Sequence, residues 1–242
     1  MYLNSNKSKG LFITATDTGV GKTLVSGAIA KLLTARGKKV GVLKPIATGC
    51  KKIKGKLISQ DAEFLSDCIG DKLPLDLINP IRYQIPASPL ACEKAEKKKV
   101  QLKDIFSAYE QIRRKSDFVI VEGIGGAKVP LTGSYDVLDL AKDLKLPVVI
   151  VARAKLGTIN HTLLTVEAVR QKGLLLAGIV INGYDEKTVD YAEKSNAVII
   201  KKVGKVKILA VVPYDKKVNV EKKIVSQKVL NALRKVDWLK VK

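Results

Sequence analysis

Residues 10–37 read GLFITATDTGVGKTLVSGAIAKLLTARG, and this stretch decides the fold. An apolar run rich in β-formers leads into a loop of small residues, after which apolar residues recur at helical spacing. The loop ends in Gly21, Lys22 and Thr23, which match the end of the phosphate-binding pattern G-x-x-x-x-G-K-S/T. Thr16 stands where that pattern has its first glycine. The stretch therefore predicts a strand, a phosphate-binding loop of unusual sequence and a helix.

The place of this loop between a strand and a helix favours a nucleotide site over an ordinary glycine-rich turn. Backbone N–H groups at a helix N-terminus, together with the helix dipole, attract phosphate. In such loops the lysine reaches the β- and γ-phosphates, and the hydroxyl of the next residue ligates Mg²⁺. Lys22 and Thr23 are the residues that would do so here.

The rest of the chain alternates strand and helix patterns. Predicted strands cover 39–45, 117–126, 146–153, 174–183 and 206–214, and predicted helices cover 60–70, 101–115 and 157–173. The strands at 117–126 and 146–153 are continuously apolar, which is typical of a parallel sheet buried on both faces. We predict a single-domain α/β fold over 1–242, with a mainly parallel sheet, helices on both faces and a flexible N-terminus at 1–9.

The composition favours a cytoplasmic protein with no membrane partner. The chain is 46% hydrophobic, its N-terminus has no apolar signal core, and no apolar run approaches the roughly 20 residues that span a bilayer. Its cysteines, Cys50, Cys68 and Cys92, are odd in number and show no C-x-x-C spacing. They therefore predict a reducing compartment and no structural zinc site.

The formal net charge of +21 raises the question of a nucleic-acid partner, because lysines bind phosphate backbones through counterion release. The lysines are spread along the whole chain, however, and only four Phe and one Trp are available to stack on bases. No known nucleic-acid motif is present. We therefore interpret the charge as a solvated surface that attracts small anions, and expect no nucleic-acid partner.

Charged residues at predicted strand and helix ends are candidates for the nucleotide site. Mg²⁺ prefers oxygen ligands, so carboxylates should accompany Thr23. Glu122 ends a buried strand, at the edge where open α/β sheets bind ligands. Asp61 is either a second ligand or only a helix cap, and Lys44 either faces the phosphates or is a solvated strand end. For His161, the only histidine, packing or capping is a better interpretation than catalysis.

Seven segments, in order, carry a resemblance to a known family. They read TATDTGVGKT, LKPIATG, SQDA, PASPLA, DFVIVEGIGGAKVPL, LPVVIVARAKLGTINHTLLT and LAGIVING. Together they closely resemble the dethiobiotin synthetase family from about residue 10 to residue 215. The family's phosphate loop has its first glycine one residue earlier than usual, which accounts for Thr16. Ala15 holds that earlier position here, and we expect its methyl group, which would narrow the approach to phosphate, to be tolerated.

The resemblance implies a P-loop NTPase-like fold and a homodimeric ligase of biotin biosynthesis. Members of the family use ATP, Mg²⁺ and CO₂ to close a ureido ring on 7,8-diaminopelargonic acid, giving dethiobiotin, ADP and phosphate. The diamine first reacts with CO₂ to give a carbamate, whose oxygen attacks the γ-phosphate. The second amine then closes the ring and expels phosphate. Such chemistry needs no protein nucleophile, so catalysis comes from positioning and charge stabilisation.

The resemblance also assigns site residues, position by position. The nucleotide-binding residues would be Gly19, Val20, Gly21, Lys22, Thr23, Leu24, Asp61, Glu122, Gly123, Ile124, Gly125, Asn182, Gly183, Pro213 and Tyr214. The Mg²⁺ ligands would be Thr23, Asp61 and Glu122, and the catalytic residues would be Lys44, Lys22 and Thr18. The diamine would contact Thr18, Lys44, Thr48, Leu156, Gly157, Asn160 and Tyr191. Its carboxylate tail would lie near the partner subunit of the homodimer.

Two departures from the family lie where the nucleotide base should bind. Gly183 follows Asn182 at a position where the family often has an acid. The later family segment is present only as AVVPYD, with Pro213 as the firm match. The resemblance is therefore closer for phosphate chemistry than for recognition of the base.

Two other classes with related folds are alternatives. Partition and positioning ATPases, which bind DNA or membranes, carry a lysine five residues before the loop lysine, and Asp17 holds that position here. Cobyrinic acid amide synthases need a glutamine-hydrolysing domain with a nucleophilic cysteine, for which the chain has no length left. The partition type, which the high positive charge favours, stays the alternative function.

Overall fold

The computed structural model describes residues 9–188 and 190–241, so the predicted flexible N-terminus, apart from Lys9, lies outside the described residues. The strands are β1 (Gly10–Ala15), β2 (Val40–Leu43), β3 (Ile46–Ala47), β4 (Lys51–Ile53), β5 (Lys56–Ile58), β6 (Ile81–Arg82), β7 (Phe118–Glu122), β8 (Val148–Arg153), β9 (Leu176–Tyr184) and β10 (Ile208–Pro213). The helices are α1 (Lys22–Ala35), α2 (Gln60–Cys68), α3 (Leu75–Ile78), α4 (Pro89–Glu96), α5 (Leu102–Arg114), α6 (Val137–Asp143), α7 (Thr158–Gln171), α8 (Tyr191–Gly204) and α9 (Gln227–Arg234).

Six strands form one parallel sheet in the order β10-β9-β8-β1-β7-β2. The predicted mainly parallel sheet is therefore confirmed, and each of the six strands overlaps a segment predicted to be a strand. Two small pairings lie outside it: β3 with β6, which is parallel, and β4 with β5, which is antiparallel. The lysine-rich segment after β2, over which the sequence analysis predicts no strand, forms this β4–β5 hairpin.

The sheet buries apolar side chains on both faces, which confirms the predicted layers. On β1, Leu11 and Ile13 belong to a core cluster with α1, α2 and α9, whereas Phe12 belongs to a second cluster with α5, α6, α7 and α8. This alternation follows from the period of two along a strand, because successive side chains point to opposite faces. All three side chains are fully buried, and each contributes about 1.5–3 kcal/mol relative to an exposed position.

The strand order places the candidate site. The chain runs from β1 to β2 on one side of the sheet and later returns to add β8, β9 and β10 on the other side. Loops at the carboxyl ends of strands around such a change of direction form the usual ligand crevice of an open α/β sheet. Lys44 follows β2, Glu122 ends β7, Arg153 ends β8, and Asn182 lies near the end of β9. These side chains therefore start from one edge of the sheet.

The start of α2 decides between the two interpretations of Asp61. The hydroxyl of Ser59 accepts the N–H of Ala62, so Ser59 is the residue that caps the helix. Asp61 lies in the first turn of α2 and has its carboxylate available for other partners. The cap interpretation of Asp61 is therefore wrong.

Two further expectations concern membranes and cysteines. Among the described residues, no helix combines the length and the apolar character that crossing a membrane requires. Cys50, Cys68 and Cys92 are buried free thiols.

Candidate active site

The loop between β1 and α1 has a backbone that requires its glycines. Gly19 and Gly21 have φ angles of 73° and 99°, in the left-handed region that favours glycine. At Gly21 an added Cβ would lie 2.1 Å from Nδ2 of Asn182, so a side chain is excluded on steric grounds as well. The same Nδ2 donates a hydrogen bond of 2.9 Å to the Val20 carbonyl. Asn182 therefore contacts the loop directly.

Ala15 does not belong to the surface of this loop. It is fully buried in the core cluster that Leu11 and Ile13 form with α1. Its methyl group therefore packs beneath the loop, and the expectation that it is tolerated near phosphate stays a prediction.

Lys44 is a buried cation between two carboxylates. Its Nζ lies 2.8 Å from Oδ2 of Asp61 and 2.6 Å from Oε1 of Glu122, and only 3% of the residue is exposed. Burial lowers the pKa of a lysine, but the charges of Asp61 and Glu122 outweigh it, so the pKa of Lys44 lies well above its ordinary value. The charge of Lys44 in turn holds the pKa of the Asp61 carboxyl below its usual value. Lys44 is therefore no solvated strand end.

Oxygen ligands suited to Mg²⁺ converge beside this lysine. The Thr23 hydroxyl donates to Oε1 of Glu122 over 2.8 Å. Glu122 is fully buried, and its Oε2 has no hydrogen-bond partner among residues 9–188 and 190–241. An unpartnered buried carboxylate oxygen is costly unless a cation or a donor binds it. The set of Thr23, Asp61 and Glu122 therefore fits a hard cation, although the described residues hold no cluster of three or more His, Cys, Asp or Glu.

Lys22 links the loop to the turn after β7. Its Nζ donates a hydrogen bond of 2.7 Å to the carbonyl of Gly125. Burial, and then repulsion by Lys44, lower the pKa of Lys22 to about 8. Gly125 has a φ angle of 58°, and Gly123 and Ile124 complete the turn. A bound phosphate would give the Lys22 ammonium an anionic partner in place of the neutral Gly125 carbonyl.

The ends of β9 and β10 bring the predicted base-binding residues together. Gly183 has a φ angle of 81°, which a side chain rarely tolerates, so the departure from an acid at this position suits the backbone. Pro213 pairs with Tyr184 in register, and the N–H of Tyr214 donates to the Tyr184 carbonyl over 2.8 Å. A cavity of about 1080 Å³ opens here, with Tyr184, Pro213 and Tyr214 among its lining residues.

A second cavity, of about 580 Å³, borders the loop at residues 16–18. Residues 16–18 and 126–130 line it together with His161 and Thr165 of α7. The His161 side chain is exposed and faces this cavity, so it neither packs in the core nor caps α7, whose cap is Gly157. The expected packing role of His161 is therefore wrong.

The remaining predicted substrate residues are Thr48, which lies shortly after Lys44 in the chain, and four residues at or near the starts of α7 and α8. Thr48 is half-buried and follows β3 directly. Gly157, with a φ angle of 88°, precedes α7, and Asn160 is exposed in its first turn. Leu156 and Tyr191 are 80% and 87% exposed, so the described part of the chain leaves these two large side chains uncovered.

Arg153 is a site residue that the sequence analysis quoted without assigning it a role. It ends β8, and its Nη2 lies 2.6 Å from Oδ2 of Asp17 in the loop. The signal that would have found it is the one that singled out Lys44: a cation at the carboxyl end of an apolar strand in an open α/β sheet.

The fold is similar to solved structures of P-loop ATPases, which confirms the predicted fold class. The MinD cell division protein of Aquifex aeolicus superposes with a TM-score of 0.59 at 13% identity, covering 94% of this chain and 96% of that chain. A ParA family ATPase from Chlorobium tepidum gives a TM-score of 0.57 at 18% identity, covering 97% and 98%. At such identities the likeness is one of fold alone.

Sequence comparison is more specific. The family model described as an AAA domain matches residues 9–222. An ATP-dependent dethiobiotin synthetase of Thermodesulfovibrio yellowstonii is 43% identical over 220 residues, covering 88% of this chain and 92% of the relative. Those of Bacillus subtilis (strain 168) and Methanocaldococcus jannaschii are 41% and 42% identical, covering 90% and 84% of this chain and 91% and 92% of the relatives. With this identity over nearly its whole length, the chain belongs to the family of ATP-dependent dethiobiotin synthetases.

Proposed function

We propose that this protein catalyses the ATP- and Mg²⁺-dependent formation of dethiobiotin from 7,8-diaminopelargonic acid and CO₂. The observation that carries the proposal is the cluster in which Lys44 binds Asp61 and Glu122 while Thr23 donates to the same Glu122. Together with Lys22 of the adjoining phosphate loop, the cluster supplies two lysines, two carboxylates and one hydroxyl. Such groups suit phosphoryl transfer between substrates, where the protein positions the reactants and neutralises charge.

The reaction proceeds through bonds among the substrates. One amine of the diamine attacks CO₂ and loses a proton, which gives a carbamate. A carbamate oxygen then attacks the γ-phosphorus of ATP, and the bond to ADP breaks, giving a carbamic–phosphoric anhydride. Finally the second amine attacks the carbonyl carbon, loses its proton and expels inorganic phosphate as the ring closes. No step forms a bond to the protein.

Lys22 and Lys44 supply the positive charge that these steps require. Lys22 leaves the Gly125 carbonyl for the β- and γ-phosphates, and Lys44 faces the transferred phosphoryl group and the carbamate. Thr18 and Thr48 hold the carbamate or the diamine. A preorganised ammonium in a site shielded from water stabilises developing negative charge more strongly than the same group in water.

Thr23, Asp61 and Glu122 would hold Mg²⁺, and the unpartnered Oε2 of Glu122 supports this assignment. When bound, Mg²⁺ neutralises charge on the β- and γ-phosphates. The nucleotide base would bind near Asn182, Gly183, Pro213 and Tyr214, beside the 1080 Å³ cavity. The remaining phosphate contacts would come from Gly19, Val20, Gly21, Leu24, Gly123, Ile124 and Gly125.

The diamine's carboxylate tail would bind at Leu156, Gly157, Asn160 and Tyr191, covered by the second subunit of a homodimer. The exposure of Leu156 and Tyr191 supports this arrangement, since a partner would bury both side chains. We further propose one domain over 1–242, a cytoplasmic location and no membrane or nucleic-acid partner.

The test is product formation by the purified protein. Diaminopelargonate, bicarbonate and ATP–Mg²⁺ should give dethiobiotin, detected by mass spectrometry, with one ADP formed per product. Omission of bicarbonate or addition of excess EDTA should abolish the product. A folded protein that makes no dethiobiotin under these conditions would overturn the proposal.

A partition-type ATPase is the alternative that the fold leaves open, and Asp17 argues against it. That residue holds the position of the signature lysine and is paired with Arg153. An electrophoretic mobility assay with duplex DNA at moderate salt should show no ATP-dependent shift. A tight shift that requires ATP would favour the alternative.

A further inference from the structure

The phosphate loop is held by side chains from two adjacent strands. Arg153 at the end of β8 and Asn182 on β9 are register partners in the sheet. Asn182 donates to the Val20 carbonyl, and Nη2 of Arg153 lies 2.6 Å from Oδ2 of Asp17. The two contacts lie on either side of residues 18–19.

The contact of Arg153 continues to Thr18. The second carboxylate oxygen of Asp17, Oδ1, accepts the backbone N–H of Thr18 over 2.7 Å. One carboxylate therefore joins the guanidinium to the backbone of a residue that faces the 580 Å³ cavity. Because a guanidinium has a rigid, planar set of donors, it fixes its partner more tightly than a flexible ammonium does.

Arg153 also removes an electrostatic problem. Asp17 puts a negative charge in a loop that must receive a triphosphate and a carbamate, both of which are also negative. Negative charges that lie close together repel. The ion pair neutralises that charge. The two side chains are 41% and 50% exposed, and pairs so exposed add little to stability. Fixing the loop and masking its charge therefore explain the pair better than stabilisation of the fold does.

We propose that Arg153 is a positioning residue for the diamine: acting through Asp17, it fixes the Thr18 segment of the phosphate loop that contacts the acceptor substrate. The proposal rests on the proposed function, which places Thr18 at the diamine or carbamate. ATP is held chiefly by Gly19 to Thr23, a segment that has its own contact, from Asn182 to the Val20 carbonyl. Loss of Arg153 should therefore affect the diamine more than the nucleotide.

The test compares Arg153→Met, Arg153→Lys and Asp17→Asn with the wild type in the dethiobiotin assay. For Arg153→Met we expect the KM for the diamine to rise about tenfold or more, because small misplacement of a substrate contact has large kinetic effects. The KM for ATP should change less than about threefold, and Tm should hardly change. Arg153→Lys should restore part of the loss, since it keeps the charge but not the planar donors.

Arg113→Met is the matched control. Arg113 makes an ion pair of 2.8 Å with Glu110 on α5, away from the loop, and its loss should leave both KM values unchanged. In the Asp17→Asn background, Arg153→Met should add little further, because residues that act as one unit are not additive.

The outcomes separate this proposal from the proposed function. An inactive wild type contradicts the proposed function itself. An active wild type with an unchanged diamine KM in Arg153→Met, or with equal rises in both KM values, overturns the positioning role. A large fall in Tm with normal kinetics would show that the ion pair is only structural.

Discussion

At the residue scale, Lys44 shows how burial and charge compete. Burial alone would favour a neutral lysine, yet the two carboxylates raise its pKa so far that it stays charged throughout the range in which enzymes are assayed. The sequence predicts that Lys44 lies at a strand end, but it does not show which side chains surround it. The side chains that surround it come from β7 and α2, far away in the chain.

Lys44→Ala tests whether this charge acts in the transition state. We expect kcat to fall about 100-fold or more, as when a preorganised donor is removed, while the Kd for nucleotide rises less than about tenfold. Single-turnover kinetics and equilibrium binding measure the two effects. Equal losses in both would contradict a transition-state role.

Folding is the necessary control for this variant, because removing one partner of a buried ion pair costs about 3–5 kcal/mol. Lys44→Arg keeps the charge, so it should fold, yet it should remain slow because its larger head group displaces the phosphoryl group. Lys103→Ala, on an exposed part of α5, should change neither kinetics nor stability.

The lowered pKa of Lys22 predicts a pH dependence of nucleotide binding. With a pKa of about 8 in the free protein, Lys22 loses its proton as pH rises through 8, whereas bound phosphates favour the charged form. Affinity should be nearly constant below about pH 7 and fall about tenfold between pH 7 and pH 9. Calorimetry in buffers of different ionisation enthalpy should show proton uptake near pH 8. Lys22→Arg, which stays charged, should abolish the slope; an unchanged slope would contradict the assignment.

At the scale of elements, the loop between β1 and α1 depends on its contact with β9. Gly21→Ala places a methyl group against Asn182 and a side chain at a φ angle of 99°. We expect nucleotide binding to be lost and the free energy of unfolding to fall by more than about 1–2 kcal/mol, the cost of the left-handed backbone alone. Thermal or urea unfolding measures the loss.

Gly37→Ala is the matched control for Gly21→Ala. Gly37 has a φ angle of 76° at the other end of α1, with open space around it, so only the backbone cost of about 1–2 kcal/mol should appear. The double variant Gly21→Ala with Asn182→Ala removes the clash and should recover part of the lost stability. If it recovers none, the contact with Asn182 is not what excludes a side chain.

The sequence predicted the elements of the central sheet better than the contacts between them. Continuous apolar runs identify β7 and β8, because strands buried on both faces need apolar residues throughout. The partners of Asn182 and Arg153 could not be predicted in this way, since they depend on the register between β8 and β9. The β4–β5 hairpin was missed because its exposed, lysine-rich sequence lacks an apolar face.

At the scale of the whole molecule, the uncovered apolar side chains near α7 and α8 predict self-association. Leu156→Asp with Tyr191→Glu should convert a dimer to a monomer in analytical ultracentrifugation, because charged groups would be buried at the interface. The KM for the diamine should rise while nucleotide affinity is kept, since the phosphate loop lies within one chain.

Ile53→Asp is the control for this variant. Ile53 is an exposed apolar residue on the β4–β5 hairpin, away from α7 and α8, and its change should leave the dimer intact. A wild type that is monomeric at assay concentration, yet fully active, would contradict the shared substrate site.

The position of Lys44 has a consequence for the order in which ligands arrive. In the free protein its ammonium forms ion pairs with Asp61 and Glu122, so the site already contains a cation of its own. A free divalent ion would have to displace that built-in counter-ion and then share the space with it, which disfavours binding of the metal alone. Nucleotide phosphates add the negative charge that allows both cations to stay. We therefore expect the metal to enter together with the nucleotide, and the empty enzyme to ignore changes in divalent-ion concentration.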